Sequence, residues 1–305
     1  MQAVMTRHFP TLFILTILLS FLAGCTQLRP VPDKDYAIWD RSRDRWITES
    51  ELVSDLRKTD YVLIGDLHQS QLLQERLLAV LQQLKKDRWL EAIVLDALQS
   101  KLSVEELTYP KPLDKVSSKP LGHYGPLIEW VEQEQVPLVA AGMTRDKLQS
   151  MKKPEARRWL EEKTRGVLPE QEREKLRQIL SSSHPKPEGV SEEKLRESSD
   201  YLLAAQQLQD YFMARMLLAL KQNSVLITRA FHARNDMGVT PYLYAQNPDS
   251  KIKSILMISS MQSRDSLLQM VARSNGEYDY IWIKTSETGL LLAPQNDSVG
   301  EAGQK

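Results

Sequence analysis

Short apolar runs ending at a glycine or an acid alternate along this chain with longer segments of helical period. That alternation limits the fold more than any other feature. Residues 61–64, 92–95, 137–141, 224–228, 252–258 and 280–284 read as buried strands. Between them, Leu72, Leu73, Leu77, Leu78, Val80, Leu81 and Leu84 recur at helical spacing and give an amphipathic helix over about 70–86. Residues 126–134 and 266–272 read as further helices, and Thr48-Glu49-Ser50-Glu51 is a capping box opening a helix to about Arg57. Strands separated by helices need crossover connections, so the expected fold is α/β, a mostly parallel sheet with crossover helices. The rhythm breaks from 147 to 222, where charge-rich helical segments are punctuated by Pro154, Pro169, Pro185 and Pro187 and end in a long helix over 195–220. Residues 147–200 therefore read as a helical insertion, or lid, on a core built from 46–146 and 201–290. The polar tail 291–305 is expected to be disordered.

The beginning of the chain reads as an address. Arg7 precedes an apolar run over 9–22, the pattern of a secretory signal occupying 1–24. The run is shorter than the roughly 20 residues needed to span a bilayer. Leu22-Ala23-Gly24-Cys25 looks like a bacterial lipobox, which would leave Cys25 as a lipidated first residue, followed by a tether over 25–45. Thr26 stands where an aspartate would favour retention at the inner membrane, so the expected location is the outer membrane, periplasmic side, with membrane contact through the lipid anchor. Cys25 is the single cysteine, which excludes a disulfide framework and a cysteine zinc cluster. Lys plus Arg and Asp plus Glu each total 40, and without a basic surplus nucleic acid is not an expected partner.

Ligands of open parallel sheets bind outside the carboxyl ends of the strands. The residues following each strand are Gly65-Asp66-Leu67-His68, then Asp96, then Gly142, Thr144 and Arg145, then Arg229, His232, Arg234 and Asp236. His68 and His232 thus reach one rim from distant parts of the chain. His123 and Tyr124 sit in a loop shaped by glycine and proline, whereas His184, among serines and prolines, reads as a solvated loop residue. Structural roles compete with these: Asp66 could cap the following helix, and Asp96 could bind backbone N–H groups in a turn. Two chemistries fit the rim. Asp66, His68, Asp96 and His232 could hold a divalent metal such as zinc, whose bound water attacks a carbonyl. Alternatively a neutral histidine (His68 or His232) or the Tyr124 oxygen could ligate haem iron. Arg234 would then pair a propionate, and Leu67, Met143, Phe231, Met237 and Tyr242 could supply apolar walls, although such residues are more often plain core. No HExxH, GxSxG or glycine-rich phosphate loop occurs, which excludes those classes.

Six separated segments carry a resemblance. They are Tyr61-Val-Leu-Ile-Gly65-Asp66-Leu-His68, Ile93-Val-Leu95-Asp96, Tyr124-Gly-Pro126-Leu-Ile128 with 137–141, Gln209-Asp210-Tyr-Phe-Met213-Ala214, Phe231-His232-Ala233-Arg234 and Gly238-Val239-Thr-Pro241. In this order they resemble the ChaN family of haem-binding lipoproteins, within the haem-uptake and Tiki-like superfamily. The resemblance implies an α/β core with a small helical subdomain, haem as cofactor, and a role in haem or iron acquisition beside an outer-membrane receptor. Asp66 and Asp96 replace glutamates of the pattern, and Ala230-Phe231-His232 replaces Gly-x-Gly-His. A carboxylate drawn back by one methylene disturbs catalytic geometry more than it disturbs a wide apolar ligand. The expectation is therefore a haem-binding envelope lipoprotein rather than an enzyme, with a metal-dependent hydrolase or a ligand-free scaffold lipoprotein as alternatives. Whether a homodimer shares the haem is left open.

Overall fold

The computed structural model describes residues 36–66, 71–101, 113, 124–183, 189–260, 269 and 276–285. Cys25, Leu67, His68, His123, His184, the expected helix over 266–272, the signal segment and the tail lie outside the described residues.

An eight-stranded sheet has the order β2-β1-β8-β7-β3-β6-β4-β5. Its parallel strands are β3 (Tyr61–Asp66), β4 (Ala92–Gln99), β5 (Leu138–Gly142), β6 (Ser224–Arg229), β7 (Ile252–Ser260) and β8 (Tyr280–Thr285). Each contains a run that the sequence marks as a strand. One expectation fails at the start of the described chain. Residues 36–45, expected in the tether, belong to β1 (Tyr36–Asp40) and β2 (Arg45–Ile47), an antiparallel hairpin closing the sheet edge beside β8. Asp40, fully buried, accepts hydrogen bonds from the Ser42 hydroxyl at 2.8 Å and the Arg43 backbone N–H at 3.1 Å, which folds the polar turn. Trp39 and Trp46 meet edge to face across the hairpin, 5.0 Å between ring centres.

Alternate strand residues feed two apolar layers, as the two-residue period of a strand requires. Val62, Ile64, Ile93, Leu95, Val225 and Ile227 pack with α1 (Glu49–Leu56), α2 (Gln71–Lys86) and α3 (Gly125–Gln133). On the other face lie Leu63, Val94 and Leu226. That layer also takes in α4 (Arg145–Ser150), α5 (Pro154–Lys163), α6 (Glu170–Ser183), α7 (Glu192–Leu220) and α8 (Val239–Gln246), so the segment read as an insertion, 147–200, packs in the same layer as the rest of α7. The amide of Gln209 on α7 donates to the Ala141 carbonyl at 2.8 Å and accepts from the Met143 N–H at 3.0 Å. One neutral side chain thus satisfies both backbone groups where β5 ends.

The capping box forms as read: Thr48 Oγ1 accepts from the Glu51 N–H, and the Glu51 carboxylate accepts from the Thr48 N–H at 2.9 Å. That backbone bond, with the Arg45 guanidinium, holds the Glu51 carboxyl down at about 2, against an ordinary 4.5. A lowered carboxyl contributes stability that is present above its unfolded value and lost as pH falls through its folded one. Protection of the first-turn amides of α1 from hydrogen exchange should therefore decline only between about pH 4.5 and 2. In Glu51→Gln the decline should be absent; an unchanged profile in that variant would show that another group controls this helix start.

Candidate haem site

The sheet topology concentrates the rim residues. The chain leaving β4 moves outward to β5, while the chain leaving β6 crosses back over β3 to β7. The two connections part between β6 and β4, which opens a crevice at their carboxyl ends. Asp96, Thr228 and Arg229 stand there. The Thr228 hydroxyl donates to Asp96 Oδ2 at 2.9 Å, and Arg229 Nε lies 3.9 Å from the same oxygen. A register shift between Leu95 and Gln99 lets β4 lean on β5. The contact is close enough that a Cβ on Gly142 would sit 2.1 Å from the Asp96 carbonyl oxygen.

A 3-10 turn, Ala230–Ala233, follows β6 and carries His232. It lies directly on β3, since a Cβ on Gly65 would meet the Ala230 Cα at 2.8 Å. The Tyr278 hydroxyl pins it by donating to the Ala230 carbonyl at 2.9 Å. Beyond the turn the backbone doubles back so tightly that a Cβ on Gly238 would stand 2.3 Å from the His232 carbonyl oxygen. His232 therefore has little freedom of position, being 1% exposed.

Its chemistry is set by Asp210 on α7. Nδ1 of His232 lies 2.6 Å from Asp210 Oδ1, and both side chains are buried. The other ring nitrogen, Nε2, lies 3.2 Å from Nη2 of Arg229. A guanidinium can only donate, so Nε2 accepts and the proton sits on Nδ1, where it is donated to Asp210. The ring thus presents Nδ1–H to Asp210 and its Nε2 lone pair to Arg229. The Gln206 amide nitrogen lies 2.8 Å from Nδ1 as well, but that nitrogen already carries a proton, so the amide's own bond goes to Asp210 Oδ2 at 3.2 Å. Burial pushes the Asp210 carboxyl up, and Asp96 adds to this, while His232 and Gln206 pull it back.

Beside His232 lies a cavity of about 310 Å³ between the rim and the insertion. Leu180, Tyr201, Leu202 and Phe231 supply its apolar walls, and His232 and Arg229 its polar edge. Of the expected wall residues that are described, Phe231 lines it. Met143, Met237 and Tyr242 are instead ordinary core, packed in the layer under α7 and α8. Arg234 is committed elsewhere: it makes two bonds to Asp236, at 2.9 and 2.7 Å, and pairs with Glu277 at 2.9 Å. The guanidinium at the imidazole is that of Arg229.

Asp66 ends β3 and accepts from the Gln74 amide of α2 at 2.6 Å. Tyr124, buried at the start of α3, lies within the field of both Asp66 and Asp96. Burial, then those two charges, push its phenol far above the ordinary value, so it stands protonated. Asp66 and Asp96 are thus both near enough to act on the Tyr124 phenol. Among the described residues no three His, Cys, Asp or Glu side chains are placed to hold a metal ion. The expected zinc set therefore finds no group there, and the pairing of His68 with His232 lies outside the described residues.

Comparison with known proteins fits this arrangement. A family model described as "Haem-binding uptake, Tiki superfamily, ChaN" matches residues 52–243. The chain belongs to this family. A solved structure, "Cofacial heme binding to ChaN of Campylobacter jejuni", is similar in fold at 17% identity and a TM-score of 0.57, covering 84% of this chain and all of that one. Two further structures are more distant. A succinoglycan biosynthesis protein has 8% identity, a TM-score of 0.44 and coverage of 77% and 90% of the two chains. A Bacillus cereus protein has 9% identity, a TM-score of 0.39 and coverage of 78% and 92%. No curated protein matches the sequence.

Asp210 and Gln206 both reach His232, and the strand-end survey passed them over. Gln209-Asp210 entered the sequence reading only as part of the family resemblance. The signal was present: an acid between Leu208 and Tyr211-Phe212-Met213, on a helix side that otherwise packs, needs a buried partner.

Proposed function

We propose that this protein is an envelope lipoprotein that binds haem in the cleft beside His232 and serves haem or iron acquisition on the periplasmic side of the outer membrane. One observation carries the reading. The buried Asp210 accepts a hydrogen bond from Nδ1–H of His232, which leaves the Nε2 lone pair at the edge of an apolar-walled cleft. Carboxylate-supported imidazoles of this kind orient and strengthen metal ligands generally. Family membership and the fold shared with the Campylobacter jejuni protein support the same ligand.

The residues fit the group. His232 would hold the iron, Leu180, Tyr201, Leu202 and Phe231 would cover the ring, and haem would supply the iron that the envelope system carries inward. Tyr124 is a weaker ligand here, because burial beside two carboxylates keeps its phenol protonated. The role is binding and transfer, not catalysis. The lipobox at Cys25 supports anchoring, and an outer-membrane haem receptor is the partner class that fits such a location.

Titrating haemin into the purified mature protein should move the Soret band and saturate. His232→Ala should abolish that shift, while Tyr124→Phe should keep it. A wild-type spectrum identical to that of free haemin would overturn the reading. A shift lost in Tyr124→Phe and kept in His232→Ala would move the ligand to the phenol.

A further inference from the structure

Arg229 is placed oddly for a residue with a purely structural role. Its backbone is tied into the sheet, paired with Asp66 across β3 and β6. Its side chain is 72% exposed, yet Nη2 reaches back to 3.2 Å from Nε2 of the almost fully buried His232. Asp96 is 3.9 Å away from Nε and is already bonded by the Thr228 hydroxyl. The guanidinium is thus held at the imidazole by one hydrogen bond and a loose ion pair, and it has open solvent to turn into. It also lines the cleft mouth beside Phe231, itself 37% exposed.

Two groups cannot share the Nε2 lone pair. Any electrophile or metal centre that takes it must first displace Arg229, and the displaced charge then faces whatever enters the cleft. We infer that Arg229 is a latch: it caps His232 Nε2 in the empty protein and, once that nitrogen is taken, turns to pair a carboxylate on the edge of the ligand. The inference rests on the reading of the cleft as a haem site and adds to it a ligand-gated residue and a requirement for an acidic ligand edge. A planar fork is suited to both positions, since it presents several donors without the full desolvation cost of an ammonium.

Two measurements on the full mature chain test it. Diethyl pyrocarbonate acylates an unprotonated imidazole nitrogen, and peptide mapping reports which histidine has reacted. His232 should be labelled several-fold faster in ligand-free Arg229→Ala than in wild type, with the other histidines of the chain as internal reference. Equal labelling would overturn the cap. The second measurement compares haemin with its dimethyl ester, in which the carboxylates are masked. Wild type should release the ester about tenfold faster than the free acid, the size of one charge-assisted hydrogen bond, and Arg229→Ala should release both alike. Equal release by wild type would overturn the carboxylate half. If wild type bound no haemin at all, the haem reading and the carboxylate half would fail together, and the labelling result would still decide whether Arg229 covers the imidazole.

Discussion

Asp210→Asn should weaken haemin binding by about 10- to 100-fold, the usual cost of losing the partner behind a metal-ligating histidine. The substitution keeps the shape of the side chain and its carbonyl oxygen, so Nδ1 still finds an acceptor 22 residues back in sequence. What disappears is the charge. The Asp210 carboxylate makes the imidazole a stronger donor at Nε2 and forbids the alternative tautomer, because a carboxylate has no proton to give. An asparagine amide can present either end, so Nδ1 could meet an N–H and the imidazole proton would shift to Nε2, blocking the lone pair. Two readouts check this. Soret titration gives the affinity, and two-bond proton–nitrogen correlation spectra give the tautomer of His232. The thermal transition should remain cooperative, since asparagine has nearly the shape of aspartate and keeps an acceptor for Nδ1. Unaltered affinity together with an unaltered tautomer would remove Asp210 from the site.

The second large effect is expected at Gly238. Alanine there places a Cβ 2.3 Å from the His232 carbonyl oxygen and 2.8 Å from that of Arg234. Both neighbours are backbone, held by the 3-10 turn on one side and by the Arg234–Asp236 pair on the other, so neither yields as a flexible side chain would. Overpacking of this kind costs about 1–3 kcal/mol and sometimes more. Gly238→Ala should lower the urea midpoint by a corresponding amount and, because the displaced atoms are those of His232 itself, weaken haemin binding more than the stability loss alone explains. Gly125→Ala is the control: a Cβ there meets nothing within 4 Å, so stability should hold. If both variants behaved alike, the tight return after His232 would not be what positions the ring.

Much of this was legible in the sequence, for a local reason. The strand runs, the capping box and the helix over 70–86 are patterns that a few neighbouring residues complete by themselves. The residues at the strand ends could be named for the same reason, because topology alone sends them to one rim. The β1–β2 hairpin was hidden because its short strands flank the charged turn Arg41-Ser42-Arg43-Asp44, which reads as solvated tether until Asp40 is seen buried beneath it. Arg229 and Arg234 both stood on the expected rim, and only the 3-10 turn decides that Arg229 faces the imidazole while Arg234 pairs with Asp236 and Glu277, which no periodicity reveals. Met143, Met237 and Tyr242, which are core, stood open to either role in the sequence, because apolar residues beside polar ones look alike whether they line a cleft or fill a core. Asp210 needed a contact across 22 positions to show its purpose.

The long helix α7 joins two parts that the sequence divides. Its 29 residues make one unbroken rod of about 43 Å, with Tyr201 on the cleft wall and Asp210 behind the imidazole some two and a half turns later. Gln209 rivets that rod to the end of β5. The arm is therefore no detachable ornament: shortening or loosening it would tilt the Asp210 carboxylate against His232, and a grip on the arm would be a mechanical handle on that imidazole.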